Sequence, residues 1–445
     1  MKVILKTIFL SLSFSFSARA QRNDSAKTSN WSDHFQLTVI SQRHASFPSK
    51  YSGANSLADT AEPTATSLTA TLFLGRKLWK GAVFFLNPEV SGGKGLSFAK
   101  GVAGALNGET YRVGEVAPEV FVARAYLQQS ISLGPKVEEA ADAINQVGAM
   151  IPANRITISA GKFAISDFYD DNTYSKDPRT QFFNWALWAN GSWDYPADTR
   201  GYTYGVVAEL IKPKWALRLS TVAVPRIANF HLMEYNVHAH SETFEFQHSF
   251  SIRKRKGIIR FMASSTHSRS PSYLEGIKSI ADNNRFLLNV INGSAENNKY
   301  GGHKYGLGLN VEQEITNDIG FFARAGWNDG KDVSWAFTEI DKTISGGFSI
   351  AGNKWKRPED VLGVGAAING LSSEHKIFLQ DGGYGFIIGD GKLNYGNEQI
   401  VEAYYNAGLS KFLWVTIDYQ FVKNPGYNKD RGPVNVFGVR AHIEL

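Results

Sequence analysis

The chain has 445 residues, with 42 Gly, 13% aromatic residues, no Cys and a formal net charge of +6. The lack of Cys excludes disulfides, thiol catalysis and Cys-ligated metals. A mean hydropathy of −0.23 argues against a helical membrane protein, while the Gly and aromatic excess points to many strands and turns with Trp and Tyr at interfaces.

In chain order, residues 1–20 have the form of a secretory signal. Lys2 and Lys6 make the positive start, an apolar-rich run follows, and Ala18-Arg19-Ala20 is a small-x-small cleavage site. Gln21 is then the mature start. The signal holds Lys2, Lys6 and Arg19 and no acid, so the mature charge is +6 − 3 = +3. That is too little basicity to suggest a nucleic-acid partner. Residues 21–34 are polar and form the one separable segment before a single domain over 35–445.

That domain repeats one pattern: apolar and polar or small residues alternate over about ten positions, and a turn follows. Leu68, Ala70, Leu72 and Leu74 alternate with Thr69 and Thr71, with Phe73 as the exception. Phe244, Phe246, His248, Phe250 and Ile252 oppose Glu245, Gln247, Ser249 and Ser251. Tyr305, Leu307, Leu309 and Val311 oppose Gly306, Gly308, Asn310 and Glu312. Leu413, Val415, Ile417, Tyr419 and Phe421 oppose Thr416, Asp418 and Gln420, and the same alternation runs from Asn435 to Leu445.

A soluble sandwich also alternates, with its apolar face inward. Three features favour a membrane barrel with the apolar face outward. The segments match the roughly 9–11 residues of a tilted spanning strand. Trp79, Trp215, Trp327 and Tyr419 sit near segment ends, where an aromatic girdle would lie. The opposite faces carry Gly, Glu, Arg and Asn, a poor sandwich core. The expected fold is therefore all-β: a transmembrane antiparallel β-barrel of about sixteen strands with short loop helices. Residues 136–148 read as one such helix, closed by Gly148, and Ser373–Leu379 as another. Lys212–Lys214 and the basic run Arg253–Gly257 read as tight turns.

Between two strand-like pieces, residues 159–205 hold a dense polar and aromatic run. Its residues Gly161-Lys162-Phe163, Asp167-Phe168, Asp177-Pro178-Arg179-Thr180-Gln181-Phe182, Asn184-Trp185-Ala186-Leu187 and Trp193 through Tyr202 resemble the signature of the carbohydrate-selective porins, the OprB family. Tyr51–Leu57, Asn87-Pro88-Glu89, Gly389–Leu393, Glu402–Tyr405 and Asn424–Asn428 are similar to the same family. The resemblance covers nearly all of 35–445 and is weakest over 226–300. It implies an outer-membrane barrel passing small sugars by passive diffusion, with outer-membrane lipid and lipopolysaccharide around it and no cofactor. Whether barrels associate stays open.

A sugar channel needs aromatic faces for C–H groups and fixed polar groups for hydroxyls. The candidates are Arg179, Trp185, Trp193, Asp198 and Arg200 in the signature run and, by strand parity, the inward Glu209. The arginine-rich constriction that the resemblance implies falls best on Arg124. Parity also turns Arg218, Arg260, Arg324, Glu402 and Arg440 inward, since a charge facing lipid at mid-depth costs roughly 2–4 kcal/mol. The loop residues have an alternative use in shaping turns and pairing charges. A general or differently selective porin is the runner-up function, and a barrel-mounted adhesin or enzyme a third. No nucleophile elbow, P-loop or H-E-x-x-H supports an enzyme. His238 and His240 share a strand face but have no third metal ligand in view.

Overall fold

The computed structural model describes residues 29–110 and 116–445. The signal sequence and residues 21–28 of the polar segment lie outside the described residues. The strands in chain order are β1 (Trp31–His44), β2 (Ala65–Lys77), β3 (Ala82–Gly93), β4 (Glu119–Ser132), β5 (Val137–Ala140), β6 (Ala149–Pro152) and β7 (Arg155–Phe163). They continue as β8 (Thr203–Lys212), β9 (Trp215–Val222), β10 (Val224–Pro225), β11 (Met233–Glu234), β12 (His240–Ile252), β13 (Arg255–Ser268) and β14 (Gly302–Glu314). The last are β15 (Ile319–Asn328), β16 (Lys342–Ala351), β17 (Val361–Gly370), β18 (Glu398–Ser410), β19 (Leu413–Lys423) and β20 (Val434–Glu444).

Sixteen of these form one closed antiparallel barrel; β5–β6 and β10–β11 are separate small hairpins. Pairing of β1 with β20, from Gln36 opposite Glu444 to His44 opposite Val436, shuts the ring. Closure leaves no strand edge, and this is what lets a sheet sit in hydrocarbon with its backbone satisfied. The first strand starts at Trp31 rather than at residue 35, so residues 31–34 belong to the barrel.

The alternation has the sense expected of a membrane barrel. Phe244, Phe246, Leu307, Leu309 and Ile417 are exposed on the outer face, while Glu245, Asn310, Glu312 and Asp418 are buried inside. Phe73, the exception in β2, faces inward and is buried too.

The connections are unequal. At the end that carries the start of β1 and the end of β20, most turns are short. Arg253 and Lys254 make a two-residue turn with both φ values positive, the backbone that matches hairpin twist. Arg255, Lys256 and Gly257 already belong to β13. At the other end lie the long connections 45–64, 94–118, 164–202, 223–239, 269–301, 329–341 and 371–397. They carry the helices α1 (Trp185–Trp188), α2 (Tyr273–Ala281), α3 (Arg285–Ile291) and α4 (Ser373–Gln380). The last matches the helix expected from Ser373.

The helix expected over 136–148 does not form. Val137–Ala140 pairs with Ala149–Pro152 as a β-hairpin, tipped by a tight turn in which Ala143 and Gln146 exchange backbone hydrogen bonds. The acidic, Ala-rich stretch has good helix formers but only one buried anchor near its tip, Val147. Short isolated helices are marginal. Here the pairing to 149–152, which the turn allows, outweighs propensity.

Candidate functional site

The long connection 164–202 does not stand outside the barrel. It folds inward, and the charged residues of the wall hold its backbone. Arg324 donates to Asp170 Oδ1 at 3.0 Å and to the carbonyls of Ser175 and Leu187 at 2.6 and 3.0 Å. Arg440 donates to the carbonyls of Pro178 and Gln181 at 2.8 and 2.7 Å. Glu402 accepts from the amides of Phe183 and Asn184, and Glu312 from that of Thr173 at 2.6 Å. An irregular loop in a barrel has backbone groups that no ladder satisfies; these side chains satisfy them. Strand parity thus correctly turned Arg324, Arg440 and Glu402 inward, and their task is to clamp the loop.

Apolar packing adds to the clamp. Phe182 lies between the inward rings of Phe322 and Tyr404, at centroid distances of 5.3 and 4.9 Å. The wall opens room where the loop comes close. A Cβ on Gly326 would meet Asn190 Oδ1 at 2.0 Å, and one on Gly320 would meet the Tyr174 ring at 2.0 Å.

Beside the clamped loop a cavity of about 580 Å³ remains open. Of the seven residues singled out in the sequence, Arg124, Arg179, Trp193, Arg200 and Glu209 line it. Arg124 donates twice to Asp167, at 2.6 and 2.7 Å. Arg179 is wedged among Glu109 at 3.1 Å, Glu89 at 3.2 Å and Thr71 at 3.0 Å. Arg200 pairs with Glu119 and lies over the Phe121 ring, 4.3 Å from its centroid. Glu209 accepts from Arg218 at 3.0 Å, and Arg218 also reaches Glu245 at 2.7 Å.

Two of the seven are placed elsewhere. Trp185 is fully buried, packed on Trp188, Tyr195 and Phe337 at centroid distances of 4.9, 5.2 and 4.6 Å. It lies in α1, whose first turn Asn184 caps by accepting from the Ala186 amide. A ring buried on all sides has no face left for a solute. Asp198 accepts from the amides of Arg200 and Tyr202 at 2.9 and 3.0 Å, so it shapes the turn that aims Arg200. Burial pushes the Asp198 carboxyl up from its ordinary value, partly offset by those amide bonds.

Sequence reasoning missed other lining residues. Asp167, Asp171 and Lys176 bring charge, Tyr126, Phe168, Tyr169 and Tyr202 bring rings, and Ile144, Asn145 and Gln146 come from the β5–β6 hairpin. Asn145 Oδ1 accepts from Asn87 on β3 at 2.8 Å, which seats the hairpin tip against the inner wall. The ammonium of Lys176, 2.7 Å away, and the guanidinium of Arg260 hold the Asp171 carboxyl well below its usual range against the opposing effect of burial. It stays ionised through neutral pH. Lysine after an acidic run signals little in a sequence, and residues 136–148 have the composition of a helix, so neither announces its place beside the cavity.

A closed sixteen-strand barrel with an apolar outer face and a loop folded into a charged lumen is a porin, a channel rather than an enzyme. The family model described as carbohydrate-selective porin, OprB family, matches residues 58–445, and the chain belongs to that family of outer-membrane channels. Among solved structures, Pseudomonas putida OprB is similar at 15% identity over 94% of each chain, with a TM-score of 0.67. The outer membrane channel DcaP of Acinetobacter baumannii gives 8% identity over 94% of this chain and 98% of its own, TM-score 0.48. Pseudomonas aeruginosa OccK2, solved in complex with glucuronate, gives 10% over 94% and 98%, TM-score 0.46. No curated protein sequence matches.

Proposed function

We propose that sugars of monosaccharide size cross this channel in contact with the cavity beside the inward loop, and that Arg124, Arg179, Arg200, Glu209 and Trp193 act on them there. One observation carries the reading: a cavity of about 580 Å³ is lined by fixed guanidinium–carboxylate pairs, with the edges of buried rings between them. The pairs supply donors and acceptors already oriented, so a partly dehydrated sugar exchanges water for protein hydrogen bonds. The bordering rings of Tyr126, Phe168, Trp193 and Tyr202 are buried against their neighbours, so they offer edges rather than whole faces to the sugar's C–H groups. Binding in such a cavity must stay weak enough to release the solute, which is what conduction requires. Fixed charges of both signs across the water also filter ions and zwitterions. The long-loop end faces outward in this reading and the short-turn end faces the periplasm, as in other barrels of this kind. Residues 1–20 direct export and are removed, and lipopolysaccharide surrounds the outer rim.

The test is flux into liposomes carrying the purified protein. Monosaccharides are expected to enter faster than amino acids of similar size, and titrated sugar is expected to lower single-channel ion conductance saturably. Equal flux of both solute classes, with conductance indifferent to every sugar, would assign a general porin instead.

A further inference from the structure

On its outer face the barrel carries a row of histidines that the channel does not use. His240 on β12 stands directly opposite His267 on β13, and His267 directly opposite His303 on β14. The rings follow one another at 4.8 and 3.9 Å between centroids. Parity places all three outside, in line with Phe244, Phe261 and Leu307. They lie at the long-loop end of their strands, beyond that apolar band and next to Tyr305, whose ring is 4.0 Å from that of His303. This is the level of the lipid headgroups, where water reaches the side chains.

Glu242 joins the row from the same face of β12. Its Oε1 is 2.6 Å from His240 Nδ1 and accepts from the Thr221 hydroxyl at 3.1 Å. One ligand atom from each of His240, Glu242 and His267 lies within 4.8 Å of the other two. Membrane girdles are normally built from Trp and Tyr, and a girdle has no need of a carboxylate held against an imidazole. Two imidazoles and one carboxylate converging across paired strands are a donor set for a borderline transition metal.

We propose that His240, Glu242 and His267 form a binding site for a divalent transition metal of the Zn²⁺ class on the outer rim of the barrel. Two nitrogen donors and one carboxylate oxygen suit Zn²⁺, Ni²⁺ or Cu²⁺ and disfavour Ca²⁺ and Mg²⁺, which take oxygen ligands. With metal–ligand bonds of about 2.0–2.2 Å in a tetrahedral site, ligand atoms stand about 3.4 Å apart, so the His240–Glu242 pair at 2.6 Å opens slightly and His267 draws in by about an ångström. The His240 and Glu242 side chains are 24% and 37% exposed, so they have room to do so. The strands hold the three residues in register before any metal arrives. Three protein ligands leave further positions to water. His303, stacked on His267 and bonded through Nε2 to Ser265 Oγ at 2.9 Å, positions the His267 ring. His238, two residues before His240, is exposed on the connecting loop with its ring near Tyr300 and stays outside the set. His238 and His240 therefore do not share a strand face as the sequence suggests, since β12 begins at His240; the partners of His240 are Glu242 on its own strand and His267 on the neighbouring one.

The experiment uses the full mature chain without a histidine tag, refolded in detergent and titrated with Zn²⁺ by calorimetry. One saturable site per chain is expected. His267→Gln and Glu242→Gln should each weaken it by about tenfold or more, since even indirect supports of metal ligands are worth 10- to 100-fold. His238→Gln should leave it unchanged. Because any variant can fail to fold, the unsubstituted protein is also loaded with one Cu²⁺, whose paramagnetic resonance spectrum should show coupling to two imidazole nitrogens. Absence of saturable Zn²⁺ binding, Zn²⁺ affinity unmoved by both ligand substitutions, or a Cu²⁺ spectrum with oxygen coordination alone would each overturn the site.

Discussion

Arg124 braces the inward loop at the edge of the cavity. Its side chain reaches from mid-β4 to Asp167 at the start of the inward loop with a double hydrogen bond, and the pair borders the cavity. Arg124→Gln keeps a donor but removes the charge, leaving the Asp167 carboxylate facing the water. A unit charge at 4 Å is worth about 1 kcal/mol in bulk water, so cation over anion permeability should rise about fivefold. The reversal potential in a salt gradient reads this directly, and an unchanged potential would place the pair off the ion path. A second residue answers to pH. Glu339, in the connection 329–341, accepts from the amides of Ile387 and Ile388 at 3.1 and 2.8 Å. Burial pushes its carboxyl up to about 7 against the pull of His375 and those amides. A folded value above the unfolded one means the folded loop binds the proton more tightly. The packing of 371–397 on Glu339 is therefore firmest below the ordinary carboxylate value and weakens as pH rises through about 7. Hydrogen exchange at Ile387 and Ile388, corrected for the intrinsic rate, should show greater protection at about pH 6 than at about pH 8. Glu339→Gln should flatten that difference.

At the scale of elements, the inward loop 164–202 is held by more than its own sequence. Arg324 has no exposed side-chain surface and ties Asp170 to two loop carbonyls. Arg324→Met fits the space but leaves the Asp170 carboxylate buried with its guanidinium partner gone. Breaking one side of a buried pair costs about 3–5 kcal/mol. The barrel ladder does not depend on this contact, so the expected loss is local. Channels should open to a larger and noisier conductance, and the loop should be cut by protease while the strands stay intact. A variant with normal conductance and normal protease resistance would mean that Arg440, Glu402 and Glu312 suffice. The clamp also marks the limit of what the sequence tells. Parity turns Arg324 and Arg440 inward because lipid excludes charge, yet it cannot say that each ends on a carbonyl of residues 175–187, more than 130 positions away. Trp185 misleads for a related reason. A Trp in a polar loop looks like a sugar platform, whereas here it is the keel on which Trp188, Tyr195 and Phe337 pack. The β5–β6 hairpin escapes sequence reasoning altogether, because its register depends on a turn and on a wall contact at Asn87.

At the scale of the whole molecule, the barrel is readable from sequence because one physical rule acts on every strand. Hydrocarbon outside and water inside impose a period of two, and a closed ring leaves no strand exempt. The outward band should then resist charge in proportion to depth. Leu309 is near the middle of β14, opposite Phe261 and Ala325, and exposed to the bilayer. Tyr305 lies two outward positions nearer the rim, beside His303. An arginine at the midplane costs about 2–4 kcal/mol, and one near the interface about 0–1. Leu309→Arg should therefore lower unfolding free energy in lipid bilayers by several times the loss caused by Tyr305→Arg. Denaturant titration of the refolded barrel, scored by loss of the compact band in unheated gels, measures both. Equal losses would mean that the hydrocarbon layer is not centred where the outward apolar residues place it, and would move the histidine row out of the headgroup level as well.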